Sequence, residues 1–192
     1  MKYDFTKKMT IGAARTLSSL QQAMLMLLSA KSFEEIAVGE LCEQAMLPRA
    51  TFYNYFDDKY DLLEYCLRTA RKQLDSGCAD ACTCRMRMDA FLENCFDFLD
   101  RNLDTVEKIL KNNIPDQYLI NQIRYYLLSN MEEAFQAGSC SNRFKIPDKM
   151  AAKLYSDAVL IILEWKYLEK KECTKEQAKE YVHQMVSGID IQ

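Results

Sequence analysis

The sequence is poor in the residues that make turns, with five Gly and three Pro in 192 positions. That scarcity excludes an all-β fold with many tight reversals. There is one His and one Trp. No Gly-rich phosphate loop, nucleophile elbow or zinc-ligand spacing occurs, so neither an enzyme nor a cofactor or metal is expected. Long apolar runs are missing too. The most apolar stretches, AMLMLL and AVLIIL, are far too short to span a bilayer, and no membrane association is expected. The start, MKYDFTKKMT, is charged and lacks a signal-type apolar run behind it, which predicts a cytoplasmic protein. Net positive charge is the last absence, at −3 overall. Residues 1–75 hold ten Lys/Arg and ten Asp/Glu, and the remainder holds 15 and 18. Bulk charge therefore does not point to nucleic acid, and any DNA binding must come from local geometry.

What is abundant favours helix. Hydrophobic residues make up 49%, enough for a real core, and Leu, Met, Ala, Glu, Lys and Gln dominate. The expected fold is all-α: an N-terminal three-helix helix-turn-helix domain followed by a larger helical domain. Leu17, Leu20, Met24, Leu27 and Leu28 recur at helical spacing and predict a helix over 13–30. VGELCEQA reads as a short helix, MLPR as a turn and ATFYNYF as a second short helix. A longer helix over about 58–75 follows, with Asp58 as N-cap and Asp61 three residues on. Lys59 then faces the positive end of that helix at a cost of about 0.3–1 kcal/mol. It is either solvated or compensated by an external anion. SGCADACTC breaks the pattern and predicts a connection between a domain at 1–72 and another at 73–192. Helices are expected over 86–101, 103–112, 116–137, 148–171 and 174–188. Gly138 is the expected C-cap of one, Pro147 and Asp148 open another, and Thr174 with Gln177 makes a capping box for the last.

Two short helices joined by a tight turn, after a longer one, follow the helix-turn-helix plan. On a wheel of about 100° per residue, Phe52, Phe56, Pro48 and Tyr55 share one face, while Ala50 and Asn54 lie near the opposite pole. Arg49, Thr51 and Tyr53 flank them. The outer face suits a major groove. A small residue lets the backbone approach, Asn can pair with adenine, and a Thr methyl can touch a thymine methyl. Arg49, Tyr53 and Lys59 would reach phosphates. Geometry alone fits equally a helical hairpin whose outer Tyr and Asn are merely solvated.

The local sequence adds to this. TFYNYFDDKYDLL, preceded by FEEIAVGELCEQAMLPRA, resembles the N-terminal domain of the TetR/AcrR family of bacterial transcriptional regulators over about residues 13–66. The shared pattern is Thr51, Phe52, Tyr53, Tyr55, Phe56 and Lys59. ILEWKYLEKKECTKEQ further on is similar to the branch containing dihydroxyacetone-operon regulators. The resemblance implies a homodimer on a palindromic double-stranded DNA operator, most often a repressor, released by a small-molecule effector. It implies DNA contacts from Arg49, Ala50, Thr51, Tyr53, Asn54 and Lys59. The sequence departs from the family at Met46, where Gly is usual and φ > 0 would bring strain of about 1 kcal/mol. Pro48 replaces a capping Ser. Ala37 and Gly39 stand where a capping Thr and a phosphate-binding Arg are common. With Asp57 and Asp58 nearby, these departures also fit a protein-interaction module that works through a partner.

Three further constellations invite a role. Cys78, Cys82 and Cys84 could bind a soft metal or sense oxidation, but Cys84 diverges from the other two on a helix, and eight Cys scattered along the chain read as incidental reduced thiols. Phe91, Cys95, Phe98, Tyr125 and Trp165 could line an effector pocket between the later helices. The run Val159–Leu163 is apolar on more than one face. Packing of 148–171 and 174–188 against a second copy explains it.

Overall fold

The computed structural model describes residues 9–74, 84–113, 118–136 and 145–187. It is all-α, with no strand among those residues. The helices are α1 (Ile11–Leu28), α2 (Val38–Gln44), α3 (Arg49–Tyr53), α4 (Lys59–Leu74), α5 (Cys84–Arg101), α6 (Leu103–Asn112), α7 (Tyr118–Gln136), α8 (Asp148–Leu163) and α9 (Lys175–Val186). A 3-10 turn covers Phe33–Glu35, and a π turn, Glu164–Leu168, extends α8. Two helices differ from expectation. The one expected over ATFYNYF stops at Tyr53, where the amides of Asn54 and Tyr55 turn to the i−3 carbonyls of Thr51 and Phe52. The one expected over 148–171 changes to π geometry at Glu164 and ends at Leu168, with the amide of Glu169 bonding the carbonyl of Glu164. Gly138 and the segment SGCADACTC, apart from the backbone of Cys84, lie outside the described residues.

The chain forms two compact units. The first takes Met1–Ala70 with Asp104–Ile120, and the second takes Arg71–Leu103 with Asn121–Gln192. In the first, Thr10 caps α1 by accepting the amide of Ala13, and Leu17, Leu20, Met24 and Leu28 are buried. Leu27 is half-buried. α1 packs on α2, and α2 on α3. Phe33, Ile36, Leu41, Phe52, Phe56 and Leu62 complete this core. Each such side chain is worth about 1.5–3 kcal/mol of burial.

Side chains from the end of α6 fix the turn before α2. Asn113 is 1% exposed, accepts the Phe33 amide at 3.0 Å and donates to the Ile109 carbonyl at 2.8 Å. Asn112 donates to the Ser29 carbonyl at 2.9 Å. The rings of Phe33 and Tyr118 stack at 5.4 Å, and Tyr60 meets both edge-on.

The second unit has its core in Met88, Phe91, Leu92, Cys95 and Phe96 of α5, Leu127 and Met131 of α7, and the inner faces of α8 and α9. Along α5 and α9 runs a ladder of charge. Asp89 meets His183 at 2.7 Å, Glu93 meets Lys179 at 2.6 Å, and Asp97 meets Lys175 at 2.5 Å. The π turn aims two adjacent residues at one carboxylate. Tyr167 donates to Asp100 at 2.7 Å, and Lys166 reaches the same group at 3.4 Å. Burial, then Asp100, pushes the Tyr167 phenol well above its ordinary pKa. The capping box at Thr174 and Gln177 is present in both directions.

Candidate nucleic-acid interface

The segment from α2 to α4 is built from its turns outward. α2 begins at Ala37, which has no side-chain oxygen to cap the helix. Glu40 supplies only the reciprocal half, accepting the Ala37 amide at 2.9 Å. Lys31 pairs with the same carboxylate and, as the leading cause, holds it below the usual carboxylate range. At the other end Met46 has φ 55°. The amide of Leu47 bonds the Cys42 carbonyl and that of Met46 the Glu43 carbonyl. This is a Schellman motif with methionine where glycine fits best. The strain anticipated from the sequence is therefore present, at about 1 kcal/mol.

α3 starts at Pro48, whose φ of −61° is preset for a helix entry although it offers no capping group. Its two faces separate as the wheel predicts except at Pro48, which was expected on the apolar face and is exposed at the helix entry. Phe52 and Phe56 are fully buried. Tyr55 and Thr51 are half-buried, while Arg49, Ala50, Tyr53 and Asn54 are exposed. Tyr53 leans edge-on against the Phe52 ring at 5.4 Å, which fixes where its hydroxyl points. Asn54 is the C-cap residue, so its amide group stands at the end of the helix rather than mid-face.

α4 is capped by Asp58, whose Oδ1 accepts the amides of Tyr60 and Asp61 at 2.9 and 3.0 Å. The Asp61 carboxylate accepts from Asp57, one residue further back than a capping box requires. Lys59 departs from both expectations for it. Its ammonium is neither solvated nor turned toward an outside anion. It donates to the carbonyls of Phe33, Glu34 and Ile36 at 2.9, 2.8 and 2.9 Å, and lies 4.8 Å from the Phe33 ring centre. Three acceptors use all three of its protons. Burial, the leading cause, pulls its pKa down. Lys59 is thus a clamp closing the 33–36 turn onto α4, its ammonium committed to backbone carbonyls in the free chain. Periodicity carries no sign of this, because the partners are backbone carbonyls.

This arrangement is a helix-turn-helix with one sealed and one open face. Residues 22–66 match the family model described as "Bacterial regulatory proteins, tetR family". Over those residues the segment is similar to the TetR family. The fold of the whole chain agrees. It resembles a TetR-family transcription regulator from Marinobacter aquaeolei VT8 at 14% identity, covering 96% of this chain and 100% of that one, with a TM-score of 0.66. The fatty acid degradation regulator FadR from Bacillus halodurans gives 14%, 95% and 97%, with a TM-score of 0.65. NalD of Pseudomonas aeruginosa, a secondary repressor of the MexAB-OprM multidrug efflux pump, gives 12%, 92% and 98%, with a TM-score of 0.57. No curated protein matches the chain. The TetR family is one of regulators, not enzymes.

The residues suggested for an effector pocket differ in burial. Phe91 and Cys95 lie in the core of the second unit, and Phe98 is half-buried. Tyr125 is 64% and Trp165 42% exposed. Burial pushes the thiols of Cys42 and Cys173 up and that of Cys66 to about 12, which makes them poor nucleophiles. Cys78, Cys82 and the side chain of Cys84 lie outside the described residues. Among the described residues no cluster of three His, Cys, Asp or Glu could hold a metal. No described helix is long and apolar enough to cross a membrane.

Proposed function

We propose that the chain is a cytoplasmic DNA-binding transcriptional regulator, a ligand-responsive repressor that acts as a homodimer on a palindromic operator. The observation that carries this is the division of α3. Phe52 and Phe56 anchor it, and Ala50, Thr51, Tyr53 and Asn54 remain outward with Arg49 beside them. Asn54 would read a base edge, Thr51 and Ala50 would line the groove floor, and Arg49 and Tyr53 would hold phosphates. A DNA-binding segment of 1–72, with the remainder for dimerisation and effector binding, is part of the same proposal. So is the affinity with dihydroxyacetone-operon regulators, which rests on residues 162–177.

The dimer is supported by an exposed apolar stripe. Met150, Leu154, Ile161, Trp165 and Leu168 follow one side of α8 and its π turn, and Tyr181 and Met185 are exposed on α9. Such a stripe suits pairing with a second copy. An effector would enter the apolar interior of the second unit, where the buried Ser156 hydroxyl has no partner. The test is mobility shift with duplexes selected from a random pool, across a salt series. A specific, salt-sensitive complex that Tyr53→Ala weakens is expected, with Asn54→Ala relaxing one base position by about 1–3 kcal/mol. Absence of any such complex, with a stable hetero-complex recovered instead, would favour the reading as a protein-interaction module.

A further inference from the structure

Gly39 sits in the first turn of α2, on ordinary helical backbone rather than in the left-handed region. Nothing in its conformation needs glycine, and glycine there is less favourable for the helix than alanine. What the missing side chain provides is room. A methyl group at position 39 would overlap the Arg49 guanidinium, with Cζ at 3.2 Å and Nε at 3.5 Å. The other glycine so described, Gly12, has nothing within 4 Å of the same point. Arg49 crosses from α3 to lie on α2, near enough for its charge to lower the pKa of the Cys42 thiol against the larger effect of burial. Among the described residues the Arg49 guanidinium has no hydrogen-bond acceptor and no carboxylate partner. It is a positive group lying against the first turn of a neighbouring helix with its donors unspent.

We propose that Gly39 is a positioning residue. The gap it leaves seats the Arg49 guanidinium between α2 and α3, so that its donors meet one backbone phosphate and set the register of α3 on the duplex. This rests on the DNA-binding reading and adds the residue that aims the contact. A guanidinium that fills the space beside Gly39 has fewer directions open to its planar fork, which favours a two-bond contact with phosphate over a loosely tethered charge. Without the seat the side chain still carries its charge but loses its direction.

The test is a double-mutant cycle on a selected duplex, with Gly39→Ala, Arg49→Ala and the combined variant titrated across salt. Gly39→Ala is expected to melt no lower than wild type, because alanine is the better helix former. Its affinity is expected to fall about tenfold, with the salt slope reduced by about one phosphate. Arg49→Ala should match it, and the combined variant should bind no worse than Arg49→Ala alone. An NMR cross-peak between Gly39 Hα and the Arg49 side chain, seen without DNA, reports the seat directly. Wild-type binding by Gly39→Ala, multiplying losses in the combined variant, or absence of that cross-peak would overturn the proposal. The wild-type titration comes first. If it gives no salt-sensitive complex, the DNA-binding reading fails and the seat loses its role with it, a failure distinct from a binding protein indifferent to Gly39.

Discussion

The two compact units differ in the polar contacts that join distant parts of the chain. In the first, side chains bond the backbone. Lys59 takes three carbonyls of the 33–36 turn, and Asn113 takes the amide of Phe33 from 80 residues away. In the second, side chains bond each other, in the ladder along α5 and α9. A backbone contact fixes a turn in one conformation, and a turn has no repeat to average out an error. A ladder sets the register of two helices already held by apolar burial, and each rung is replaceable. The unit that carries α3 is thus the one whose turn is fixed by contacts to the backbone.

If that contrast is right, the largest effect belongs to the Lys59 clamp. Lys59→Met leaves three carbonyls without their donor and should cost about 2–3 kcal/mol, taking charged hydrogen bonds as the stronger kind and allowing for partial access of water. Urea denaturation of the folded chain reads it directly. The same variant, studied where it is still folded, should keep the wild-type salt slope for DNA. A slope lowered by one would return Lys59 to the phosphate contacts. Asn113→Ala comes next, at about 1–3 kcal/mol, because it strands the Phe33 amide in the core. Asn113→Asp keeps the acceptor but buries a carboxylate against the Ile109 carbonyl, and should cost at least as much as Asn113→Ala.

Much of this segment was legible. The wheel over Pro48 to Phe56 separated the buried rings from Tyr53 and Asn54, because burial follows a side chain's own period. Met46 was legible only through the resemblance, because the family usually has glycine at that turn position. Lys59 and Asn113 were not, because their partners are peptide groups that every residue carries. The α5–α9 ladder lay in reach. Acidic residues at 89, 93 and 97 and basic ones at 175, 179 and 183 share a four-residue step, the mark of facing helix rows. The π turn had no such mark, and neither did the exposure of Tyr125 and Trp165, which depends on how α7 and α8 rotate about their axes.

Met46→Gly should act in the opposite direction. The side chain is 91% exposed and loses no packing, while its backbone sits where only glycine is unstrained. A gain of about 1 kcal/mol is expected, less the extra freedom glycine gives the unfolded chain. A loss of stability would mean that the thioether makes contacts that outweigh its strain.

The ladder should show the smallest effects, and pH reads them together. Lys175 holds the Asp97 carboxyl below its ordinary range, and Asp97 holds Lys175 above its own. Glu93 likewise raises Lys179. A depressed carboxyl contributes stability that is whole above its unfolded pKa near 4 and fades as pH falls through the lower folded value. A raised lysine contributes stability that is whole below its unfolded pKa near 10.5 and fades as pH climbs through the higher folded value. The ladder's share should therefore form a plateau between those limits and shrink on both sides. In a charge-swap cycle, Lys179→Glu alone places two carboxylates face to face, and adding Glu93→Lys restores the pair in reverse. Recovery should be nearly complete, with a coupling of about 0.2–1 kcal/mol for a partly exposed pair. A coupling as large as the loss at Lys59 would erase the contrast between the units, because a rung that strong would be fixing a conformation and not merely a register.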